Sequence, residues 1–315
     1  MPKRESKRDF LSIDDLTPDE LLALIDGADA CKAARGTRSD LLAGRTVALL
    51  FEKPSTRTRV SFEVAVQELG GYPLPLAGTD LQLGRGETVE DTAAVLSRYV
   101  HAIVVRTFAQ DTLERMARAG TVPVVNALSD YSHPCQALAD LQTIRERKGR
   151  LAGIRLAYVG DGNNVAHSLL FAGAKAGMHV TVATPSGYEP IPQVVGRAAE
   201  IAADTGGSAE VTTDPQAAVK DADVVYTDVW ASMGQESEAE DRRFIFSAYQ
   251  VSAELLDAAA DDVIVMHCLP AHRGEEIAAD VIDGPASVVF DQAENRLHAQ
   301  KALLSWLLAG TTSPR

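Results

Sequence analysis

The 315-residue chain is expected to fold as an α/β protein with two doubly wound parallel-sheet domains and its functional site in the cleft between them. Three observations predict this. Short, strand-sized apolar runs alternate with helix-spaced segments along the whole chain, the pattern of parallel strands joined by crossover helices. Nine such runs suit two sheets better than one. The uncommon polar residues cluster just after the runs, at the edge where open α/β sheets bind ligands.

Taken in order, a helix is expected over 14–35, with Thr17-Pro18-Asp19-Glu20 as cap and first turn. Strands follow at 46–51, 72–77, 102–107 and 122–126, with helices at 59–69, 89–99 and 134–147 between and after them. The stretch "RERKGRLAG" ends a long helix in charge and glycine, so the first domain is read as 1–147 and the second as 148–292. The second domain is expected to hold strands at 154–159, 179–183, 224–228, 263–267 and 287–290, with a helix at 165–176. The Ala/Asp/Glu-rich stretch 197–210 reads as a solvated helix face. A last helix over 293–308 closes the chain, and the segment from about 293 to 315 is expected to pack back on the first domain.

Composition narrows the function. Hydrophobic content of 46% with 23% charged residues is that of a globular protein. The polar N-terminus and strand-sized apolar runs argue against a signal peptide or a membrane span. Three cysteines without a CxxC spacing favour a reducing, cytoplasmic setting over a disulfide framework. A formal charge of −14 argues against nucleic acid or an anionic membrane as the main partner. Only eight lysines stand against 22 arginines and 44 acidic residues, a balance that suits solubility in high salt and suggests a halophilic source.

Against that acidity, Lys53-Pro54-Ser55-Thr56-Arg57-Thr58-Arg59 packs three cations and three hydroxyls into seven residues between a strand and a helix. Exposed N–H groups and the helix dipole at such a junction favour an anion, and Arg57 can grip a phosphate with a bidentate fork. Arg106 ends the third strand, and Arg296 follows the last one in "DQAENR". With these arriving from other strand ends, a pocket for a phosphate-bearing small molecule explains the stretch better than a capped helix carrying surface arginines. His133 opens the helix of "HPCQ" with Pro134 at its first position, where a neutral imidazole can donate to a carbonyl oxygen; a lone buried histidine would otherwise read as core.

"YVGDGNNVAHSLL" invites a dinucleotide reading, but Val165 occupies the third glycine position and the next strand ends in Thr184-Pro185 without a ribose-binding acid. Asn163 and Asn164 read instead as donors facing a substrate. Cys268 is by default a buried inert thiol. As a nucleophile it would need a base, and His267 points to the opposite face of an extended strand, so a binding role fits better. No spacing of Cys, His and carboxylates suggests a zinc site, and neither metal nor cofactor is expected.

The motifs "PSTRTR", "LGRGETVEDTA", "HPCQALADL", "GDGNN", "DVWASMGQE", "HCLPAHRG" and "ENRLHAQKALL", in this order and over essentially the whole chain, resemble the aspartate/ornithine carbamoyltransferase family, most closely its ornithine-using members. Aspartate-specific relatives have HPLP where this chain has "HCLP"; putrescine- and acetylornithine-using relatives are nearer, and "SMG" argues against them. The resemblance implies that carbamoyl phosphate is held by Ser55, Thr56, Arg57, Thr58, Arg106, His133 and Gln136, with backbone groups at Cys268 and Leu269, and by Arg296. Gln82 matches a family position that reaches into a neighbouring subunit, so a homotrimer or an assembly of trimers with shared sites is implied. Ornithine would be held by Asn164, Asp228, Ser232 and Met233. Arg57, Arg106, His133, Asp228 and Cys268 would carry catalysis, mainly by proximity and electrostatics. A dehydrogenase would need the missing ribose acid, and a non-catalytic relative is expected to have lost part of STRTR, HPCQ or HCLP.

Overall fold

The computed structural model describes residues 7–37, 39–53, 55–78, 86–231 and 236–312. It divides into two compact units, one of Met1–Ala139 with Asn295–Arg315 and the other of Asp140–Glu294.

In the first unit, strands β1 (Thr46–Phe51), β2 (Tyr72–Ala77), β3 (Ala102–Arg106) and β4 (Val124–Leu128) form a parallel sheet in the order β2-β1-β3-β4. Val47, Ala48, Leu49 and Leu50 are fully buried, as a strand flanked by two neighbours and covered on both faces requires. β2 carries Pro73 and Pro75, which cannot donate to a ladder, and accordingly lies at the sheet edge. The fourth strand runs two residues later than the sequence reading placed it. Phe10 pairs beside it, donating to the Val124 carbonyl at 2.9 Å and accepting from Asn126 N–H at 2.8 Å.

Helix α1 (Pro18–Ala33) begins as expected: the Thr17 hydroxyl accepts from Glu20 N–H and the Glu20 carboxylate accepts from Thr17 N–H, a reciprocal capping box with Pro18 in the first turn. Helices α2 (Thr56–Glu68), α3 (Val89–Leu96) and α4 (Gln110–Ala119) connect the strands. Leu113, Met116 and Ala93 pack on Ala48, Leu50, Ile103 and Val105 to make a core layer. α5 (Pro134–Lys148) follows β4.

In the second unit, β5 (Arg155–Val159), α6 (Asn164–Lys175), β6 (His179–Ala183), α7 (Pro192–Thr205), β7 (Ser208–Thr212), α8 (Pro215–Val219) and β8 (Val224–Thr227) come first. They are followed by α9 (Ala239–Phe246), α10 (Ala253–Leu256), β9 (Ile264–His267), α11 (Ala279–Ile282) and the start of α12 (Val289–Ala309), which from Asn295 onward belongs to the first unit. The parallel sheet order is β7-β6-β5-β8-β9. Trp230, Phe246, Tyr249 and Val251 pack with Val159, Val225 and Val265 beneath the edge where the motifs lie. Among the described residues no helix is long and apolar enough to cross a membrane.

Two expectations fail here. The stretch 287–290 is not a strand: Ser287 makes one isolated bridge to Val265, and Val289 already begins the 21-residue α12, so "DQAENR" is helical. Within 197–210 the helix stops at Thr205, where Gly206 adopts a left-handed cap at φ 84°, and Ser208 starts β7. β7 is a half-buried edge strand without a continuous apolar run, which is why its ladder partner β6, rather than its own pattern, defines it.

The start of α12 is tied to this sheet by a buried polar knot. Gln292 Nε2 donates to Asp140 Oδ1 at 2.7 Å and to the Tyr226 hydroxyl at 3.0 Å, while its Oε1 accepts from His267 N–H at 2.9 Å. Gln292→Leu would keep the bulk and leave all three groups short of a partner, so it should lower unfolding free energy by about 2–3 kcal/mol. Urea unfolding followed by tryptophan fluorescence tests this, and a loss under about half a kcal/mol would contradict it.

Candidate active site

Where the strand order reverses, neighbouring crossover helices pass to opposite faces and open a crevice at the carboxyl ends of the strands. In the first unit this point lies between β1 and β3, and the residues that follow those strands are the "KPSTRTR" stretch and Arg106. In the second it lies between β5 and β8, followed by "GDGNN" and Asp228.

In the first unit Ser55 caps α2, its hydroxyl accepting from Thr58 N–H at 3.3 Å. Thr56 and Arg57 are exposed on that first turn, whereas Thr58 points inward and is buried. Its hydroxyl accepts from Arg296 Nη2 at 2.5 Å and lies 3.5 Å from Arg106 Nη1. Two buried guanidiniums therefore converge beside the helix N-terminus, and Arg296 reaches them from α12 rather than from a strand end. His133 directly precedes α5, its carbonyl accepting from Gln136 N–H at 3.1 Å, and both side chains are buried. Burial, then the charges of Arg296 and Arg106, hold the imidazole well below its usual range, so it is neutral at pH 7. Lys53 is buried at the end of β1 with its ammonium 2.6 Å from Asp130 and 3.9 Å from the Phe108 ring centroid.

The second unit gathers acids and amides instead. Gly160 sits at φ 149°, and a Cβ on Gly162 would fall 2.3 Å from the Pro190 nitrogen, so both glycines of "GDGNN" answer to backbone geometry rather than to a dinucleotide. Asn163 caps α6: its Oδ1 accepts from the N–H groups of Val165 and Ala166, and its Nδ2 donates to Asp228 Oδ2 at 3.0 Å. Its amide thus has structural tasks that the sequence reading did not give it; Asn164 is the half-buried first residue of α6. The Cys268 thiol donates to Asp228 Oδ1 at 2.9 Å. His267 is fully buried, Nδ1 accepting from Leu269 N–H and Nε2 donating to Glu276, so both ring nitrogens are occupied away from the thiol. Leu269 adopts φ 58°, unusual for a side chain of that size, within the "HCLP" turn.

The structure thus brings Ser55, Thr58, Arg106 and Arg296 together near one helix start, and Asp228 with Cys268 in the other unit. Gln82, Ser232 and Met233 lie outside the described residues. Sequence reasoning missed the Lys53–Asp130 pair, the tie from Asn163 to Asp228, and a buried pair between Asp161 and Arg242. Lys53 was visible as one cation of a cluster and Asp161 as part of "GDGNN", but Asp130 and Arg242 carry no local signal; these partners are found only when the chain is folded.

Cysteine environments differ sharply. Burial pushes the Cys31 thiol up to about 11 and the Cys135 thiol up to about 12, whereas Cys268 is half-exposed. Ellman's reagent should therefore reach one thiol per native chain ahead of the two buried ones, and all three in urea. Loss of the fast thiol in Cys268→Ser would assign it; two fast native thiols would contradict the placement.

Residues 8–146 match the family description "Aspartate/ornithine carbamoyltransferase, carbamoyl-P binding domain", and residues 152–307 match "Aspartate/ornithine carbamoyltransferase, Asp/Orn binding domain". The ornithine carbamoyltransferase of Parafrankia sp. is 66% identical over 309 residues, covering 97% of this chain and 98% of that protein. That of Thermococcus kodakarensis is 59% identical, covering 96% and 97%. The solved ornithine carbamoyltransferase of Pyrococcus furiosus superposes with a TM-score of 0.94 at 57% identity over 97% of this chain and 98% of that one. Shared sequence over nearly the full length of both partners leaves no room for a merely local likeness, and the chain belongs to the aspartate/ornithine carbamoyltransferase family.

Proposed function

We propose that this protein is an ornithine carbamoyltransferase, moving the carbamoyl group between carbamoyl phosphate and the δ-amine of L-ornithine to give L-citrulline and phosphate. The observation that carries the choice of amine is the Asp228–Cys268 pair: a carboxylate and a thiol, both able to accept from an N–H, stand at the switch point of the second unit. Such a pair suits an amino group and repels the extra carboxylate of aspartate.

Carbamoyl phosphate binds in the first unit, its phosphate on Ser55, Thr56, Arg57 and Thr58 at the α2 N-terminus and its carbonyl oxygen towards Arg106, His133 and Gln136, with Arg296 completing the positive charge. The δ-amine attacks as the free base, because an ammonium has no lone pair. As the tetrahedral centre forms, negative charge grows on the carbonyl oxygen, and buried guanidiniums with a neutral imidazole N–H stabilise it without solvent reorganisation. The phosphate leaves with the C–O bond electrons, and the proton lost by nitrogen passes to it. Asp228 orients the amine, with Cys268 beside it, while Asn164, Ser232 and Met233 hold the amino-acid end. No covalent intermediate is involved.

The same groups serve both directions, so the enzyme fits arginine synthesis and, in reverse, citrulline phosphorolysis in an arginine deiminase route. The setting is cytoplasmic, and the assembly is a homotrimer, or a larger assembly of trimers, in which Gln82 serves a neighbour's site. The 44 acidic residues against eight lysines adapt the surface to a halophilic interior.

Phosphate release from carbamoyl phosphate, measured in molar KCl and in dilute buffer with ornithine, putrescine, N-acetylornithine and aspartate, tests the reading. Ornithine alone should release phosphate and form citrulline, with more activity in KCl. Release with another amine would keep the phosphate pocket and move the second substrate. Indifference to KCl in both activity and folding would remove the halophilic assignment.

A further inference from the structure

Arg242, on α9, is buried, and no motif points to it. Its Nη1 donates to Asp161 Oδ2 at 3.0 Å and to the Trp230 carbonyl at 2.9 Å, and its Nε donates to Glu238 Oε2 at 3.1 Å. The guanidinium carbon lies 5.0 Å from the centroid of the Tyr188 ring. Apart from Glu238, one turn earlier in the chain, these partners come from three different strand ends. Asp161 follows β5, Tyr188 follows β6 and Trp230 follows β8.

The spacing gives the cluster its meaning. Asp161 is two residues before Asn163, and Trp230 is two residues after Asp228, while Asn163 and Asp228 are themselves joined at 3.0 Å. The Tyr188 carbonyl accepts from Gly162 N–H at 2.9 Å, so the loop that carries Asn163 is gripped on both sides. We infer that Arg242 is a positioning residue for the amino-acid half of the reaction, its planar fork locking the loop after β5 to the loop after β8 so that Asp228 is aimed at the substrate amine. The inference rests on the ornithine reading above and adds to it the group that sets the second-substrate pocket.

A plain structural ion pair is the competing account. Burying a guanidinium and a carboxylate costs desolvation that well-packed apolar residues would avoid, so stability alone is a poor reason to place one here. What the fork supplies is direction: donors in one plane, aimed at a side chain and a main-chain carbonyl from separate loops. Asp161 itself is pushed up to about 6 by burial, against the pull of Arg242 and with the negative charges of Asp228 and Glu238 adding to the rise. Its ionised form therefore leans on Arg242.

The test uses full-length Arg242→Gln and Arg242→Lys, with wild type run first. If wild type makes no citrulline from ornithine, the underlying reading fails before any variant is considered. Given activity, Arg242→Gln should raise the ornithine KM roughly tenfold or more while the calorimetric Kd for carbamoyl phosphate stays within about twofold and kcat at saturating ornithine falls less than about tenfold. Arg242→Lys keeps a buried cation beside Asp161 but not the fork, and should show the same split; it carries the test alone if the glutamine variant does not fold. A wild-type ornithine KM in Arg242→Lys, equal weakening of both substrates, or a fall in kcat alone would overturn the inference.

Discussion

Everything at this site depends on a constraint of parallel sheets: each strand ends at the edge where the next helix begins. Unsatisfied N–H groups, helix dipoles and side chains from separate segments are thereby delivered to one place without long loops. The reversal of strand order between β1 and β3, and again between β5 and β8, selects which of those ends stand apart enough to admit a ligand. Ser55 and Arg106 belong to the first opening, Asn163 and Asp228 to the second.

The two openings are electrostatic opposites. The first concentrates buried arginines in a chain whose formal charge is −14, and its histidine is held neutral by burial first and then by those same cations. The second gathers Asp161 and Asp228 with an amide and a thiol, Arg242 pairing with Asp161. A doubly charged phosphoryl donor and an amine acceptor need just such unlike surroundings. One mixed pocket would pair its own charges and leave neither substrate a strong partner. The halves also differ in how they are held. Arg106 and Arg296 meet over a single hydroxyl, so the Thr58 rotamer couples β3, α2 and α12; in the second unit the coupling passes through Asn163, whose one amide caps a helix and holds a carboxylate.

Legibility in the sequence follows from how local each cause is. β1, β2 and β6 were placed residue for residue, because an inner strand is a continuous apolar run and β2 announces its edge with prolines. β7 and the start of α12 were misread because their states depend on neighbours: β7 on its ladder with β6, and 287–290 on helical continuity with the residues after it. Ser55, Arg106 and Asp228 could be found because each lies at or just beyond the end of a strand. Arg296 was found for the wrong reason, since it arrives on a helix, and the cap and carboxylate contact of Asn163 went unread. Asp161 and Arg242 lie 81 positions apart, and no periodicity relates them.

Cys268 shows how geometry decides between chemistries that sequence leaves open. A carbamoyl–thiol intermediate needs a base to take the thiol proton or a cation to hold a thiolate. The adjacent histidine offers neither: its Nδ1 is fixed on the Leu269 amide and its Nε2 on Glu276, and it is wholly buried. The group that does meet the sulfur is Asp228, a carboxylate, which accepts the S–H and repels a thiolate. The thiol therefore serves as a neutral neighbour that fixes the Asp228 rotamer from one side while Asn163 fixes it from the other. A carboxylate pinned by two donors keeps its remaining lone pairs aimed in one direction, which is what a flexible primary amine needs if it is to be delivered to a carbonyl carbon in a single step.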